Sequence, residues 1–580
     1  MKLRKLAAFS LAFTCASTLC SGLVTSAATV TDDYSAFLIP IDYSEYGLGC
    51  NIDDNILDSN DEVQTDTMNV PYERDTLPTL VDLSTDSAFP PIGNQGGIGS
   101  CVAWATTYYT YTYMVHYRKG ITSTASNAYS PRWTYNLTNG GLDEGSTVAN
   151  ALKVLKNQGA LTMEECPYYI NGNYSLDWSH DTQAMIDALS TRSSGNSTKS
   201  VTYTYDSTFL TQLDVIKSGL SNHTPYVATL KSTSGLTNGT FKRCADTEHY
   251  NEYIYVRNAS TTSEGNVTTS HAMTIVGYDD SVWCDVNGNG TVDTGETGAF
   301  KVANSWGTSW KNSGYVWVLY DALLKTSQII SAYDSSVTWD ASITTTRVPF
   351  FSLTGFTNTF YYMYSTPNYP VGFVTEITLS TSRRNQLRAT ALCLDSNYSS
   401  VESNQIYQSY SNGSYTTPIS FTGTIVLNHA CSDDIASYLS GYNWGVKIQD
   451  AYTDSYPISN ISCKIVDNLG NTISSYYSAG SVNGTYSSVT TSINLARGDV
   501  NYDGVLTTDD VHGILQYLAG STDFSNVQYE LGDFDNDGVV DLYDAIALSQ
   551  YLANRGIDVF AINECIEHFL LSGELCDEVN

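Results

Sequence analysis

Asn94-Gln95-Gly96-Gly97-Ile98-Gly99-Ser100-Cys101-Val102-Ala103-Trp104-Ala105 is the stretch on which the reading of this 580-residue chain turns. Its glycines make a loop. The apolar spacing that follows, Val102, Ala105, Tyr109 and Tyr113, predicts a helix running to Lys119 and stopped by Gly120. Cys101 therefore opens a helix, where unpaired N–H groups and the helix dipole favour a thiolate over a thiol. Gln95, six residues upstream, can turn its side-chain amide toward an oxygen that gains charge, with the N–H of Cys101 as second donor. A cysteine taken singly is more often a small buried hydrophobe. The nucleophilic reading therefore needs partners elsewhere in the chain.

A thiolate nucleophile needs a base, and of eight histidines only His271 opens an alternating strand, His271-Ala272-Met273-Thr274-Ile275-Val276-Gly277-Tyr278. The imidazole has to be held in one tautomer by a third group. Asn304 suits that role, in Lys301-Val302-Ala303-Asn304-Ser305-Trp306-Gly307-Thr308-Ser309-Trp310, followed by Gly314-Tyr315. These stretches resemble the motifs of the papain family of cysteine peptidases, written Q-G-x-C-G-S-C-W, H-A-V-x-x-V-G-Y and N-S-W-G-x-x-W, in the same chain order. Ile98 stands where many members carry a disulfide cysteine, and Val102 where a tryptophan is usual.

The resemblance covers about Leu77 to Tyr333. It implies an α+β fold with a helical subdomain and a β-barrel-like subdomain. It also implies hydrolysis of a protein or peptide substrate, with Cys101 attacking, His271 as acid and base, Asn304 orienting it and Gln95 donating to the oxyanion. Trp306 would shield the Asn–His hydrogen bond on the substrate side. Gly140 and Gly141, in Asn139-Gly140-Gly141, would bond the backbone of an extended peptide; an ordinary Asn-Gly turn is the alternative. Cys166-Pro167-Tyr168 and His223-Thr224-Pro225-Tyr226-Val227-Ala228 resemble further family landmarks. Cys101 and His271 are further apart than the roughly 130 to 150 residues usual in the family, so insertions are expected.

One insertion separates the His and Asn strands. Asp285, Asn287, Asn289, Thr291, Asp293 and Glu296 fall at the first, third, fifth, seventh, ninth and twelfth positions of a twelve-residue run with Gly290 sixth, the pattern of an EF-hand-type calcium loop. A metal-free Asn-Gly hairpin is the alternative. Near the C-terminus the pattern occurs twice more. Asp499, Asn501, Asp503, the carbonyl of Val505 and Asp510 form one set; Asp533, Asp535, Asp537, the carbonyl of Val539 and Asp544 form the other. Each loop precedes an amphipathic run, Val511 to Ala519 and Ala545 to Ala553. This tandem resembles a dockerin, a small α-helical module folded around two Ca2+ that binds a cohesin domain on a scaffold protein, as in cellulosomes. The resemblance implies that Thr508, Asp509, Leu542 and Tyr543 choose the cohesin.

Between these regions, short Thr-, Ser-, Tyr- and Val-rich alternating runs such as Val374-Thr375-Glu376-Ile377-Thr378-Leu379 and Trp444-Gly445-Val446-Lys447-Ile448 predict an all-β sandwich, placed where some bacterial relatives carry a lectin-like domain. The division expected is a signal peptide over 1–28, a pro-segment or linker over 29–76, a peptidase domain over 77–335, the sandwich over 336–493, the dockerin over 494–556 and a tail over 557–580. Losing Lys2, Arg4 and Lys5 with the signal takes the formal net charge from -33 to about -36. That acidity excludes a nucleic-acid partner, and no membrane span follows the leader. Export to the exterior and attachment to a surface scaffold are expected. Two other functions stay open on the sequence: an idle papain-like binding element, and carbohydrate binding through the tyrosine-rich sandwich. Ten cysteines remain after the leader, scattered and without zinc-like spacing.

Overall fold

A computed structural model describes Cys50 and residues 77–139, 141–169, 172–176, 181–202, 209–230, 241–256, 271–286, 288–323, 359–365, 371–384, 387–395, 400–405, 419–429, 435–450, 458–482, 485–493 and 495–576. The expected leader, Gly140 and Asn287 lie outside the described residues.

The helix opened by Cys101 runs as Cys101–Ala103, a π segment Trp104–Tyr111 and Thr112–Lys119. Gly120 ends it in the left-handed region at φ 65°, its N–H bonding back to His116 O and Tyr117 O. Its Thr- and Tyr-rich middle has poor helix propensity. Burial holds it, and two of its threonine hydroxyls find partners nearby: Thr106 Oγ1 donates to Val102 O at 2.8 Å, and Thr107 Oγ1 meets Thr134 Oγ1 at 2.6 Å. The single apolar face expected from the sequence is an underestimate, because every residue from Cys101 to His116 is buried. Trp104, Tyr108, Tyr109 and Tyr113 face a core made with the strands. Cys101, Val102, Ala105, Tyr111 and Val115 face a second core made with helices Pro131–Thr138, Val148–Gln158 and Thr182–Leu189. The helix is thus the partition between the two halves, and Cys101 stands at its exposed-loop end.

Among the described residues the first sheet has nine strands. The long strand His271–Trp283 is its centre. It pairs on one edge with Tyr226–Leu230 and then Leu80–Asp82, and on the other with Thr297–Ala303, which pairs with Tyr315–Leu319. The strand order is an open path, with Ser193–Thr202 at one end and Phe241–Arg243 at the other, so where a barrel-like subdomain was expected there is a sheet whose ends do not pair among the described residues. Thr359–Ser365 pairs with Ser193–Thr202 and Tyr226–Leu230. The sheet therefore extends past the break expected at 335/336. Cys50, from the expected pro-segment, is 2 % exposed, bridges to Ser146 and lies in the second core.

The sandwich consists of two four-stranded antiparallel sheets. One holds Phe421–Asn428, Val374–Thr381, Ile458–Val466 and Thr472–Val482. The other holds Ser400–Gln405, Leu387–Leu394, Tyr442–Asp450 and Thr485–Ile493. Period-two burial puts Leu387, Ala389, Ala391, Val446 and Ile448 of one sheet against Ile377, Leu379, Ile425 and Ile461 of the other. Leu137 of the peptidase region packs into that same core.

His429 is buried at the sandwich edge, against Thr375 Oγ1 and the Trp444 ring, and burial pushes its imidazole down to about 3. The unfolded chain takes a proton near 6.5 that the folded chain refuses. Stability is therefore level above about pH 6.5 and falls by about 1.4 kcal/mol per unit as pH drops from there toward 3. Denaturant melts between pH 7 and 4 should show that slope shallower by this amount in His429→Gln.

At the C-terminus, helices Thr508–Leu518 and Leu542–Asn554 pack through Val511, Ile514, Leu515, Ala545, Leu548 and Leu552. Each begins three residues earlier than its apolar run suggested, because Thr507 and Asp541 cap it in a capping box with Asp510 and Asp544. The tail forms a helix, Phe560–Ser572, packed on the same core through Ile562 and Ile566 and stapled by Cys565–Cys576. Tyr502 Oη donates to Asp467 at 2.9 Å, and the Asn526 N–H to Asn468 at 2.7 Å, joining this module to the sandwich. Among the described residues no helix is long and apolar enough to cross a membrane.

Candidate active site

Pairing of His271–Trp283 with Thr297–Ala303 in the register Thr274 to Ala303 brings the start of one strand beside the end of the other. His271 Nε2 and Asn304 Oδ1 are 2.7 Å apart. Asn304 Oδ1 also accepts the Ser305 N–H at 2.8 Å, which fixes it as the acceptor and assigns the Nε2–H tautomer to His271. Both residues are fully buried, and Trp306 lies over them with its ring 4.6 Å from the imidazole. His271 Nδ1 has no hydrogen-bond partner. Burial lowers this imidazole to about 4, against an opposing effect of the Asn304 hydrogen bond. It is a neutral base at pH 7, with Nδ1 as the basic atom.

The helix start, Cys101–Ala103, packs against the His271 strand. Cys101 is not in a disulfide. Gln95 is held on three sides: its N–H donates to Ser305 O at 2.8 Å, Ser305 Oγ donates to its Oε1 at 2.6 Å, and its Nε2 donates to Ile98 O at 2.8 Å. Anchoring of Oε1 turns Nε2 toward the glycine loop, and an amide nitrogen there has two N–H groups to offer. Three of the other described thiols are held far from ionisation. Burial pushes Cys166 up to about 11 and Cys284 and Cys463 up to about 12, far from a thiolate at neutral pH.

Residues that no sequence motif marked hold this arrangement. Tyr109 Oη donates to Asn304 O at 2.8 Å and accepts the Gly93 N–H at 3.1 Å, tying the helix to the Asn304 turn. Asp143 Oδ1 accepts the Gly99 N–H at 2.8 Å and the Tyr135 hydroxyl at 2.5 Å, tying the glycine loop to the segment after Asn139. Gly141, in that segment, adopts φ +92° and donates to Asn139 Oδ1 at 2.8 Å. Tyr109 was legible only as a core position, and Asp143 carried no signal.

The three twelve-residue loops share one internal hydrogen-bond pattern. The first carboxylate accepts from the sixth residue's N–H: Asp285 from Gly290 at 2.9 Å, Asp499 from Gly504 at 3.0 Å, Asp533 from Gly538 at 2.9 Å. The twelfth accepts from the ninth: Glu296 from Asp293 at 3.1 Å, Asp510 from Thr507 at 2.9 Å, Asp544 from Asp541 at 2.7 Å. Asp533, Asp535 and Asp537 converge closely enough for a metal ion. In the other C-terminal loop, Asp499 Oδ1 is buried without a partner, and burial with Asp499 and Asp503 nearby pushes Asp510 up to about 6. Buried carboxylates so arranged fit a hard cation such as Ca2+. Val505 and Val539 are exposed, as residues offering only a carbonyl can be. Thr508 and Leu542 are half-buried and Asp509 and Tyr543 exposed, all four in the first turns of the two helices.

Residues 77–333 match the family model described as papain family cysteine protease, and residues 497–553 that of the dockerin type I domain. None of the curated proteins matches the chain. Among solved structures, xylellain, a cysteine protease from Xylella fastidiosa, is 19 % identical over 49 % of this chain and 94 % of its own, with a TM-score of 0.33. The bromelain protease from Ananas comosus, in complex with the E64 inhibitor, is 16 % identical over 42 % and 90 %, with a TM-score of 0.28. Procathepsin B S9 from Trypanosoma congolense is 18 % identical over 47 % and 80 %, with a TM-score of 0.33. With the motifs folded into one site and both models matched, the chain carries a papain-family C1 cysteine peptidase domain at residues 77–333 and a type I dockerin domain at residues 497–553.

Proposed function

We propose that this protein is an exported cysteine endopeptidase held on a cohesin-bearing, cellulosome-type scaffold by its dockerin. The observation that carries the reading is the 2.7 Å contact between His271 Nε2 and Asn304 Oδ1, which leaves Nδ1 to serve Cys101. Nδ1 takes the thiol proton, and the Cys101 Sγ thiolate attacks the peptide carbonyl carbon. Gln95 Nε2–H and the Cys101 N–H receive the oxyanion. As the C–N bond breaks, the imidazolium gives its proton to the leaving amine, leaving a thioester on Cys101. Water, deprotonated by His271, attacks that thioester; the released thiolate and a free carboxylic acid complete the cycle. Gly140 and Gly141 would hydrogen-bond the backbone of the substrate.

Asp499, Asn501, Asp503, the Val505 carbonyl and Asp510 would hold one Ca2+, and Asp533, Asp535, Asp537, the Val539 carbonyl and Asp544 a second. The pattern shared with 285–296 supports a third, which would stiffen the hairpin between the His and Asn strands. Thr508, Asp509, Leu542 and Tyr543 would meet the cohesin, and the paired four-stranded sheets support a lectin-like sandwich.

The test is labelling of the full-length, calcium-loaded protein with a peptidyl epoxide that alkylates active thiols. A single adduct on Cys101, with loss of peptide hydrolysis in proportion, is expected. An adduct elsewhere, or none while hydrolysis continues, would sink the reading.

A further inference from the structure

The segment that carries Gly141 is held from behind by the sandwich. Arg384, 3 % exposed, donates from Nη1 to Leu176 O at 2.6 Å and from Nη2 to Asn136 O and Asn139 Oδ1, both at 3.4 Å. Asn139 Oδ1 is the same atom that accepts the Gly141 N–H. A Cβ built on Gly141 would lie 2.6 Å from Ile419 Cγ2 and 3.1 Å from Arg384 Nη2, so both side chains close directly on the glycine. Arg384 and Ile419 are tied to each other, since the Arg384 N–H donates to Ile419 O at 2.7 Å. On its other side the segment reaches the nucleophile loop through the Asp143 bond to the Gly99 N–H.

A guanidinium out of water needs acceptors to offset the loss of hydration. The acceptors here are supplied by the peptidase domain, at residues 136, 139 and 176. A planar fork of five donors can hold several acceptors in fixed relation, which a lysine ammonium does not reproduce. We propose that Arg384, with Ile419, is a positioning residue for substrate: the sandwich sets the place of the Gly141 backbone and so the binding of extended peptides on the side preceding the scissile bond. This rests on the cysteine-peptidase reading above. It gives the sandwich a role in that activity whatever else it binds, because Leu137, on the helix leading into the glycine segment, is also packed in the sandwich core.

The experiment uses the full-length, calcium-loaded protein with Arg384→Met, Arg384→Lys and Ile419→Ala, and two readouts. One is KM and kcat on a peptide extending several residues before the scissile bond. The other is the rate of Cys101 alkylation by iodoacetamide, a reagent too small to reach the glycine segment. Arg384→Met should raise KM by about ten-fold, because small displacements of a binding strand are costly, with alkylation within about two-fold of the unsubstituted rate. Arg384→Lys should recover part of the loss, and Ile419→Ala should shift KM in the same direction, which keeps the test alive should Arg384→Met not fold. Unchanged KM in Arg384→Met and Ile419→Ala overturns the proposal, as does an equal fall of alkylation and turnover, which makes Arg384 a residue of general stability. Absence of both alkylation and hydrolysis in the unsubstituted protein overturns the peptidase reading itself, and is told apart by appearing before any substitution.

Discussion

Cys101→Ser should lower kcat/KM on a peptide substrate by roughly four orders of magnitude, and Asn304→Ala by about 100-fold. The two differ because the residues act at different depths. A thiol ionises near 8.5 in water and lower at a helix start, far below a serine hydroxyl, so its proton passes to an imidazole at much smaller cost than a hydroxyl's. His271, lowered to about 4 by burial, is too weak a base to do the same for a serine hydroxyl. The hydroxyl therefore fills the space without the chemistry. Asn304 touches no substrate atom in this scheme. It holds the Nε2–H tautomer, and without it the ring still samples the working orientation part of the time.

The same burial sets the acid limb of the rate profile. The imidazole stays unprotonated until the pH nears its lowered value, so kcat/KM should hold as pH falls through 6.5 and drop only toward about 4. Steady-state kinetics of the purified variants and a pH profile of the unsubstituted protein check both points. A Cys101→Ser variant that keeps a tenth of the activity would place the nucleophile elsewhere.

Much of this site was legible because its chemistry is written in short strings. A helix-start cysteine, a strand-opening histidine and an asparagine before a tryptophan each need only local context, and pairing of two neighbouring strands then brings His271 and Asn304 together. The supports were not legible, for the opposite reason. Asp143 reaches Gly99, Tyr109 reaches Asn304, and Arg384 reaches Asn136 and Asn139 across folds of the chain that no periodicity encodes. The helix after Cys101 reads as one-faced because Thr and Tyr count as half-polar in a pattern; in the fold the Thr106 and Thr107 hydroxyls find partners inside, and both faces are core. Thr359–Ser365 is an aromatic run inside the stretch expected to be sandwich, and only pairing partners distinguish the sheet it joins.

Removal of calcium is expected to cost the C-terminal module its fold and the protein its hold on a scaffold. Asp499, Asp510 and Asp544 are at most 1 % exposed, and Asp533 is 5 % exposed. Among the described ion pairs no lysine or arginine meets Asp499, Asp503 or Asp510, whereas Arg497 lies 3.8 Å from Asp533. With no cation, the first loop gathers like charges out of water, a strongly unfavourable state that protonation or unfolding relieves. The module's core is small, and a core of that size rarely carries a domain alone. Chelation should therefore abolish amide protection across 497–553 in hydrogen-exchange measurements on the full-length protein, and weaken binding to a cognate cohesin by more than about 100-fold. Asp510→Asn and Asp544→Asn should each do so for the near loop first, because each neutralises the loop carboxylate that also accepts the N–H of the helix-capping residue. The segment 284–297 is the internal comparison. Glu296 is fully buried and closes its loop by the same two bonds, so chelation should raise exchange there too, while the sandwich strands, which contain no such loop, keep theirs. Protection that survives chelation in all three loops would mean that hydrogen bonds alone hold them, and that the cation has no part in the fold.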